Sequence, residues 1–224
     1  MSLSQTWPIA LLGAESSGKT ALAQALAQSL ARRGLAVEAV PELLRSWCIA
    51  AGRTPQAHEQ DGIARGHAQA IAEAAARLAK AAAPGVLLAD TTPLMVAVYS
   101  DLLFDDRSLY ALALDHQRHY ALTLLMGLDL PWVADGIQRD GPHVQAPVDA
   151  LVRAALDRAG LPYQVVYGRG PARLAQAERA LRTLPALADW LEPLPEPPAT
   201  ARWTCACDSD AACEHRLFRR LQDR

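Results

Sequence analysis

The stretch Ile9-Ala-Leu-Leu-Gly-Ala-Glu-Ser-Ser-Gly-Lys-Thr20 joins a short apolar run to a glycine-rich turn, and the Ala/Leu-rich segment Lys19 to Arg33 continues from it until Gly34. Apolar run, glycine turn and strong helix formers, in that order, predict strand, loop and helix. Residues 13–20 fit the P-loop pattern in full, between the strand and helix that give the pattern meaning. Gly13 and Gly18 let the backbone curl until its amide N–H groups face phosphate oxygens, and the helix starting near Lys19 adds the positive end of its dipole. On this reading Gly13, Ala14, Glu15, Ser16, Ser17, Gly18, Lys19 and Thr20 form a nucleotide-binding loop. Lys19 reaches the β- and γ-phosphates of a nucleoside triphosphate, ATP being expected, and the Thr20 hydroxyl sits on Mg²⁺.

The rest of the chain alternates in the same way. Leu35 to Val40 reads as a second strand closed by Pro41, and Glu42 to Ala51 as a helix that stops before Gly52. A long helix is predicted from His58 to Ala83, ended by Pro84 and Gly85, with a buried-type strand at Val86 to Ala89. Pro93 to Leu103 and Arg107 to His119 read as helices, Ala121 to Met126 as a strand, and Pro131 to Pro147 as a turn-rich insertion. Helix Val148 to Ala159, strand Tyr163 to Tyr167 and helix Pro171 to Leu184 complete the order. Such alternation predicts an α/β fold: a P-loop NTPase of three layers, α/β/α, around a mainly parallel sheet that binds ligands beyond the carboxyl ends of its strands.

Several side chains are candidates for chemistry at that edge. Asp90, at the end of an apolar strand, is placed to hold the metal through its water shell, or else to cap the turn at Thr91 and Thr92. Glu42 follows the second strand, where a carboxylate accepts the proton of an attacking hydroxyl or pairs with Arg45. Asp135 and Arg139 lie in the insertion; Arg139 either stabilises transition-state charge over the triphosphate or forms a solvated surface pair. Trp132 and Tyr99 either stack on a planar ring or pack in the core. Cys48, among apolar neighbours, reads as an inert buried thiol, and His58, His67, His116, His119 and His143 show no metal-ligand spacing.

The chain has 224 residues, 51% of them hydrophobic, and a formal net charge of −2, so no bulk field draws it to nucleic acid or an anionic membrane. Its apolar stretches are too short to span a bilayer. Three of its four cysteines crowd into the last twenty residues, a poor disulfide framework that suits a reducing, cytoplasmic setting. Residues 1–192 are predicted to form the P-loop domain, the proline-rich residues 193–200 a stiff linker, and 201–224 a separate tail. There Cys205, Cys207, Cys213 and His215 offer three thiolates and an imidazole, a set suited to structural Zn²⁺, although the spacing is not that of a common finger and free thiols are the alternative.

These residues carry a resemblance. Gly13–Thr20, Val40-Pro-Glu-Leu-Leu-Arg45, Leu88-Ala-Asp-Thr-Thr-Pro93 with Val98-Tyr-Ser100, Leu130-Pro-Trp-Val-Ala-Asp-Gly136, and Tyr167-Gly168 with Arg173 resemble the nicotinamide riboside kinase domain of bacterial NadR-type proteins, an AAA-like branch of P-loop kinases. The chain departs from that pattern at Leu43, Thr92 and Gln138, where the family carries Tyr, Asp and Arg. The resemblance implies ATP-dependent phosphorylation of a small ribosyl nucleoside, nicotinamide riboside, beside Glu42, Asp90, Tyr99, Trp132 and Asp135, with Arg173 on the nucleotide. With only Met1 to Thr6 before the first strand, the family's other activities are expected to be absent. A regulatory P-loop ATPase with no small-molecule acceptor is the alternative. Oligomeric state is not legible.

Overall fold

Among the described residues of the computed structural model, 6–81, 83–134 and 141–191, five strands form one sheet. They are β1 (Thr6–Leu12), β2 (Ala36–Val40), β3 (Gly85–Asp90), β4 (Leu122–Met126) and β5 (Gln164–Val166), in the spatial order β2-β3-β1-β4-β5. Every pairing is parallel. A parallel sheet is covered on both faces, so its central strands read as unbroken apolar runs; β3 and β4 are buried along their whole length. The edge strand β2 is less buried and carries Glu38, which pairs with Arg77 at 3.1 Å.

The covering helices are α1 (Lys19–Arg32), α2 (Leu43–Ala51), α3 (Gln60–Leu78), α4 (Pro93–Phe104), α5 (Tyr110–Gln117), α6 (Gln145–Arg158), α7 (Gly170–Leu181) and the short α8 (Pro185–Ala188). Successive strand residues point to opposite faces. Ile9, Leu11, Leu88 and Leu124 therefore pack with Leu22, Leu26 and Leu30 of α1, Leu181 of α7 and Leu187 of α8. Leu12 and Leu125 face the other way, into a core built with Ile63, Leu94, Val98, Ala113, Val148 and Leu156 from α3 to α6. Leu87 and Ala89 complete that layer against Ile71 and Leu78 of α3. Helix α4 is apolar on nearly every side because α3, α5 and α6 all pack on it.

Several element ends differ from the reading above, α5 by three residues at its start, and three of the differences have a clear cause. Helix α3 stops at Leu78, not Ala83: the Lys80 and Ala81 amides bond back three residues to Arg77 and Leu78, a tightened last turn ahead of Pro84. Helix α6 starts at Gln145, so Pro147 lies inside its first turn, where a missing N–H costs nothing. Pro185 opens α8 as a separate turn after α7 ends at Leu181.

Candidate active site

The loops that leave the carboxyl ends of the strands gather the candidate residues at one edge. In register, Leu11 lies opposite Asp90 and Val40 opposite Ala89, so the P-loop, the Asp90 turn and the Glu42 turn start from the same level. This edge is where open parallel sheets bind ligands.

The P-loop takes left-handed backbone at Ser16 (φ 56°) and Gly18 (φ 83°), and Gly13 has φ 145°. A Cβ at Gly13 would lie 2.9 Å from Cβ of Met126, so this position needs glycine on space as well as on torsion, whereas at Gly18 the nearest atom is the side-chain tip of Leu130 and the positive φ is what asks for glycine. The Ser17 hydroxyl donates to the Ala14 carbonyl at 2.6 Å and closes the curve. Lys19 is 8% exposed, and its Nζ donates to the Gly13 and Ala14 carbonyls, each at 2.9 Å. Its ammonium is thereby held against the loop that the sequence assigns to phosphate.

Below the loop, the Thr20 hydroxyl donates to Oδ2 of Asp90 at 2.6 Å. Asp90 is 5% exposed, and its Oδ1 is buried without a hydrogen-bond partner among the described residues. An orphaned carboxylate oxygen is costly unless something else takes it up. Hydroxyl and carboxylate oxygen are the hard donors that suit Mg²⁺, so this pair fits that ion. The next residue, Thr91, is β-branched yet has φ 73°, a strained conformation held by its N–H bond to the Leu11 carbonyl at 3.1 Å. The turn lets Thr92 cap α4, its Oγ1 accepting from the Leu94 amide at 3.2 Å, while Asp90 faces Thr20.

Arg173 stands behind the loop. Its guanidinium donates to the carbonyls of Ser17 (2.8 Å), Gly127 (3.1 Å) and Val166 (3.2 Å) and to Oδ1 of Asp129 (3.0 Å). It ties the P-loop to the ends of β4 and β5. Burial lowers its pKa from the ordinary arginine value, and the Asp129 charge acts the other way. The same side chain forms part of the wall of a cleft of about 500 Å³, otherwise lined by Gly18, Ala21, Leu22, Ala25, Leu130, Pro131, Arg169, Gly170, Pro171 and Leu174. Volume and largely apolar lining suit a flat ring.

Residues 132–133 after β4 and residues 141 and 145 at the start of α6 bond to the P-loop. The Trp132 indole N–H donates to Oε1 of Glu15 at 2.9 Å, and the Gly141 amide donates to the same oxygen at 3.2 Å. Val133 N–H reaches Oγ of Ser16 at 2.8 Å, and Nε2 of Gln145 reaches the Glu15 carbonyl at 2.9 Å. Glu42 occupies the cap position of α2, with Arg45 at 3.8 Å. Tyr99 is partly buried in α4 against the core of α3 to α6. Asp135, Arg139, Cys205, Cys207, Cys213 and His215 lie outside the described residues. Among the described residues, no cluster of three or more His, Cys, Asp or Glu is placed to hold a metal, and no helix is long and apolar enough to cross a membrane.

Asp129 and the Glu15 contacts were missed in the sequence. Asp129 had a visible signal: an acid two residues past the glycine that ends a buried strand. Its second oxygen accepts from the Gly168 amide at 2.6 Å, so it joins the β4 and β5 loops. The Glu15 contacts had no local signal, since their partners lie 117 and 126 residues away.

Strand order, glycine loop and the Thr20–Asp90 pair define a P-loop domain of nucleotide-binding type. The chain belongs to the AAA domain family, whose model matches residues 8–173. No curated protein matches the sequence. Among solved structures, the fold is similar to that of NadR protein in complex with NR (TM-score 0.65, 17% identity, 85% of this chain and 54% of that one). It is also similar to NadR protein in complex with NAD and AMP-PNP (TM-score 0.61, 17% identity, 85% and 52%). Thymidylate kinase from Ehrlichia chaffeensis is a further match (TM-score 0.55, 12% identity, 79% and 99%). The chain spans about half the length of the NadR structures it matches. At these identities the likeness is one of fold alone, the P-loop NTPase fold.

Proposed function

We propose that this protein is a P-loop kinase that transfers the γ-phosphoryl group of ATP to a hydroxyl of a small ribosyl nucleoside, with nicotinamide riboside as the acceptor and nicotinamide mononucleotide as the product. The observation that carries the reading is the 2.6 Å bond from Thr20 to Asp90 beneath the P-loop, with the other Asp90 oxygen buried and unpaired among the described residues. A loop that binds phosphate needs no such carboxylate; one that handles a metal-bound triphosphate does.

Each residue then has a role. Backbone amides of Gly13 to Thr20 and the ammonium of Lys19 hold the β- and γ-phosphates, and the cleft between Leu130 and Pro171 takes the base. Thr20 and Asp90 would hold Mg²⁺, which supplies neutralisation of the charge that builds between those phosphates. Glu42 accepts the proton as the ribose hydroxyl attacks the γ-phosphorus, the bridging bond breaks and ADP leaves. Tyr99, Trp132 and Asp135 orient the nucleoside, and Arg139 stabilises charge on the transferred group.

The test is ADP formation from Mg·ATP with and without nicotinamide riboside and other nucleosides, with Lys19→Ala as the blank. Strong stimulation by one nucleoside, absent in the variant, is expected. Slow hydrolysis indifferent to every nucleoside would replace this reading with that of a regulatory ATPase.

A further inference from the structure

Glu15 is a carboxylate in the middle of a loop whose amides face phosphate. A like charge there weakens anion binding, so its presence calls for a compensating role. Its surroundings supply one. Oε1 accepts two N–H groups that approach from opposite flanks of the β4–α6 connection, Trp132 at 2.9 Å and Gly141 at 3.2 Å. The Glu15 carbonyl accepts Nε2 of Gln145, and the neighbouring Ser16, held in a left-handed turn that a non-glycine residue adopts at a cost, accepts the Val133 amide. Glu15 itself is 9% exposed, so these bonds are little weakened by water.

We infer that Glu15 is a positioning residue: its carboxylate registers Trp132 and Gly141, which flank residues 135–140 in sequence, against the phosphate-binding loop, so that nucleotide binding and placement of these two flanks are one event. The inference rests on the reading of the loop as a triphosphate site. Arg173 on the Ser17 carbonyl and the Ser17 bond to Ala14 hold the loop from behind and do not involve the Glu15 side chain. Loss of the carboxylate therefore uncouples Trp132 and Gly141 from the loop without dismantling it.

Hydrogen exchange at the Val133 and Gly141 amides tests this in the full chain, with and without Mg·AMP-PNP. In the wild type the nucleotide slows both. In Glu15→Ala both exchange about tenfold or more faster and no longer respond to the nucleotide, while the Gly18 to Thr20 amides still do. Glu15→Gln keeps an oxygen for the two donors and recovers the response; Trp132→Phe, which keeps the ring and deletes the N–H, weakens it. Nucleotide-dependent protection of Val133 and Gly141 that survives in Glu15→Ala would overturn the inference, as would a Glu15→Gln variant that behaves like the alanine. In turnover, Glu15→Ala raises the acceptor KM more than the ATP KM. If no nucleoside is phosphorylated by the wild type, the kinase reading fails, whereas the exchange result still decides the role of Glu15.

Discussion

At Asp90 one carboxylate oxygen takes the Thr20 hydroxyl and the other is buried without a partner among the described residues, so the charge and the geometry of this side chain are separable. Asn at this position keeps an oxygen for Thr20 but loses the anion. Asp90→Asn is expected to fold normally, to need more Mg²⁺ for half-maximal rate, and to lower kcat by about a hundredfold or more, the scale on which electrostatic groups at a reacting centre act. An unchanged Mg²⁺ requirement would remove Asp90 from the metal shell. His67, on the core face of α3, makes a different residue-scale prediction. It is buried, its Nε2 has no partner among the described residues, and burial, with His116 facing it from α5, lowers its pKa to about 4. The folded state therefore holds this imidazole neutral while the unfolded chain takes a proton below the ordinary value near 6.5. Stability is complete above about pH 6.5 and falls as pH drops towards 4, by about 3 kcal/mol in all from this one group. Urea unfolding across that range should show the slope, and His67→Leu should flatten it; an equal slope in the variant would assign it to other groups.

At the scale of elements, helix α4 is started by a short polar chain in an otherwise apolar layer. Thr92 caps the helix through the Leu94 amide, its hydroxyl donates to Oε1 of Gln117 at 2.7 Å, and Nε2 of Gln117 donates to Oγ1 of Thr123 at 3.0 Å. All three side chains are buried, so α4, α5 and β4 are joined by bonds that water does not replace. Thr92→Val fills the same volume, removes the cap and leaves Oε1 of Gln117 without its donor. The expected loss is about 1–3 kcal/mol in urea unfolding, and Thr92→Ser should recover most of it. A valine variant as stable as the wild type would mean the chain is decorative.

At the scale of the whole molecule, what could be read in the sequence follows the range of the interactions. The strand, loop and helix around residues 9–33 were legible because each signal is local: glycine torsion, helix formers, a stop at Gly34. Asp90 was legible because an acid closing an apolar run marks a strand end at the ligand edge. The α6 start was misread because Pro147 is a breaker inside a helix and harmless in its first turn. The resemblance implied a place for Arg173 on the nucleotide, but the sequence could not show that its guanidinium grips three carbonyls and Asp129, since those partners come from the P-loop, the end of β5 and the turn after β4. The Trp132 indole bond to Glu15 is likewise a product of folding, with no trace in either local sequence.

Transfer of the phosphoryl group to the nucleoside is a step that ADP formation alone reports only indirectly. The direct measurement is to supply Mg·ATP carrying ¹⁸O on the γ-phosphoryl group together with nicotinamide riboside and to follow the label by mass spectrometry. The label is predicted to appear on the nucleoside, one for each ADP formed, in the wild type and not in Lys19→Ala. Label found in inorganic phosphate alone would mean that the protein hydrolyses ATP and does not transfer its phosphoryl group.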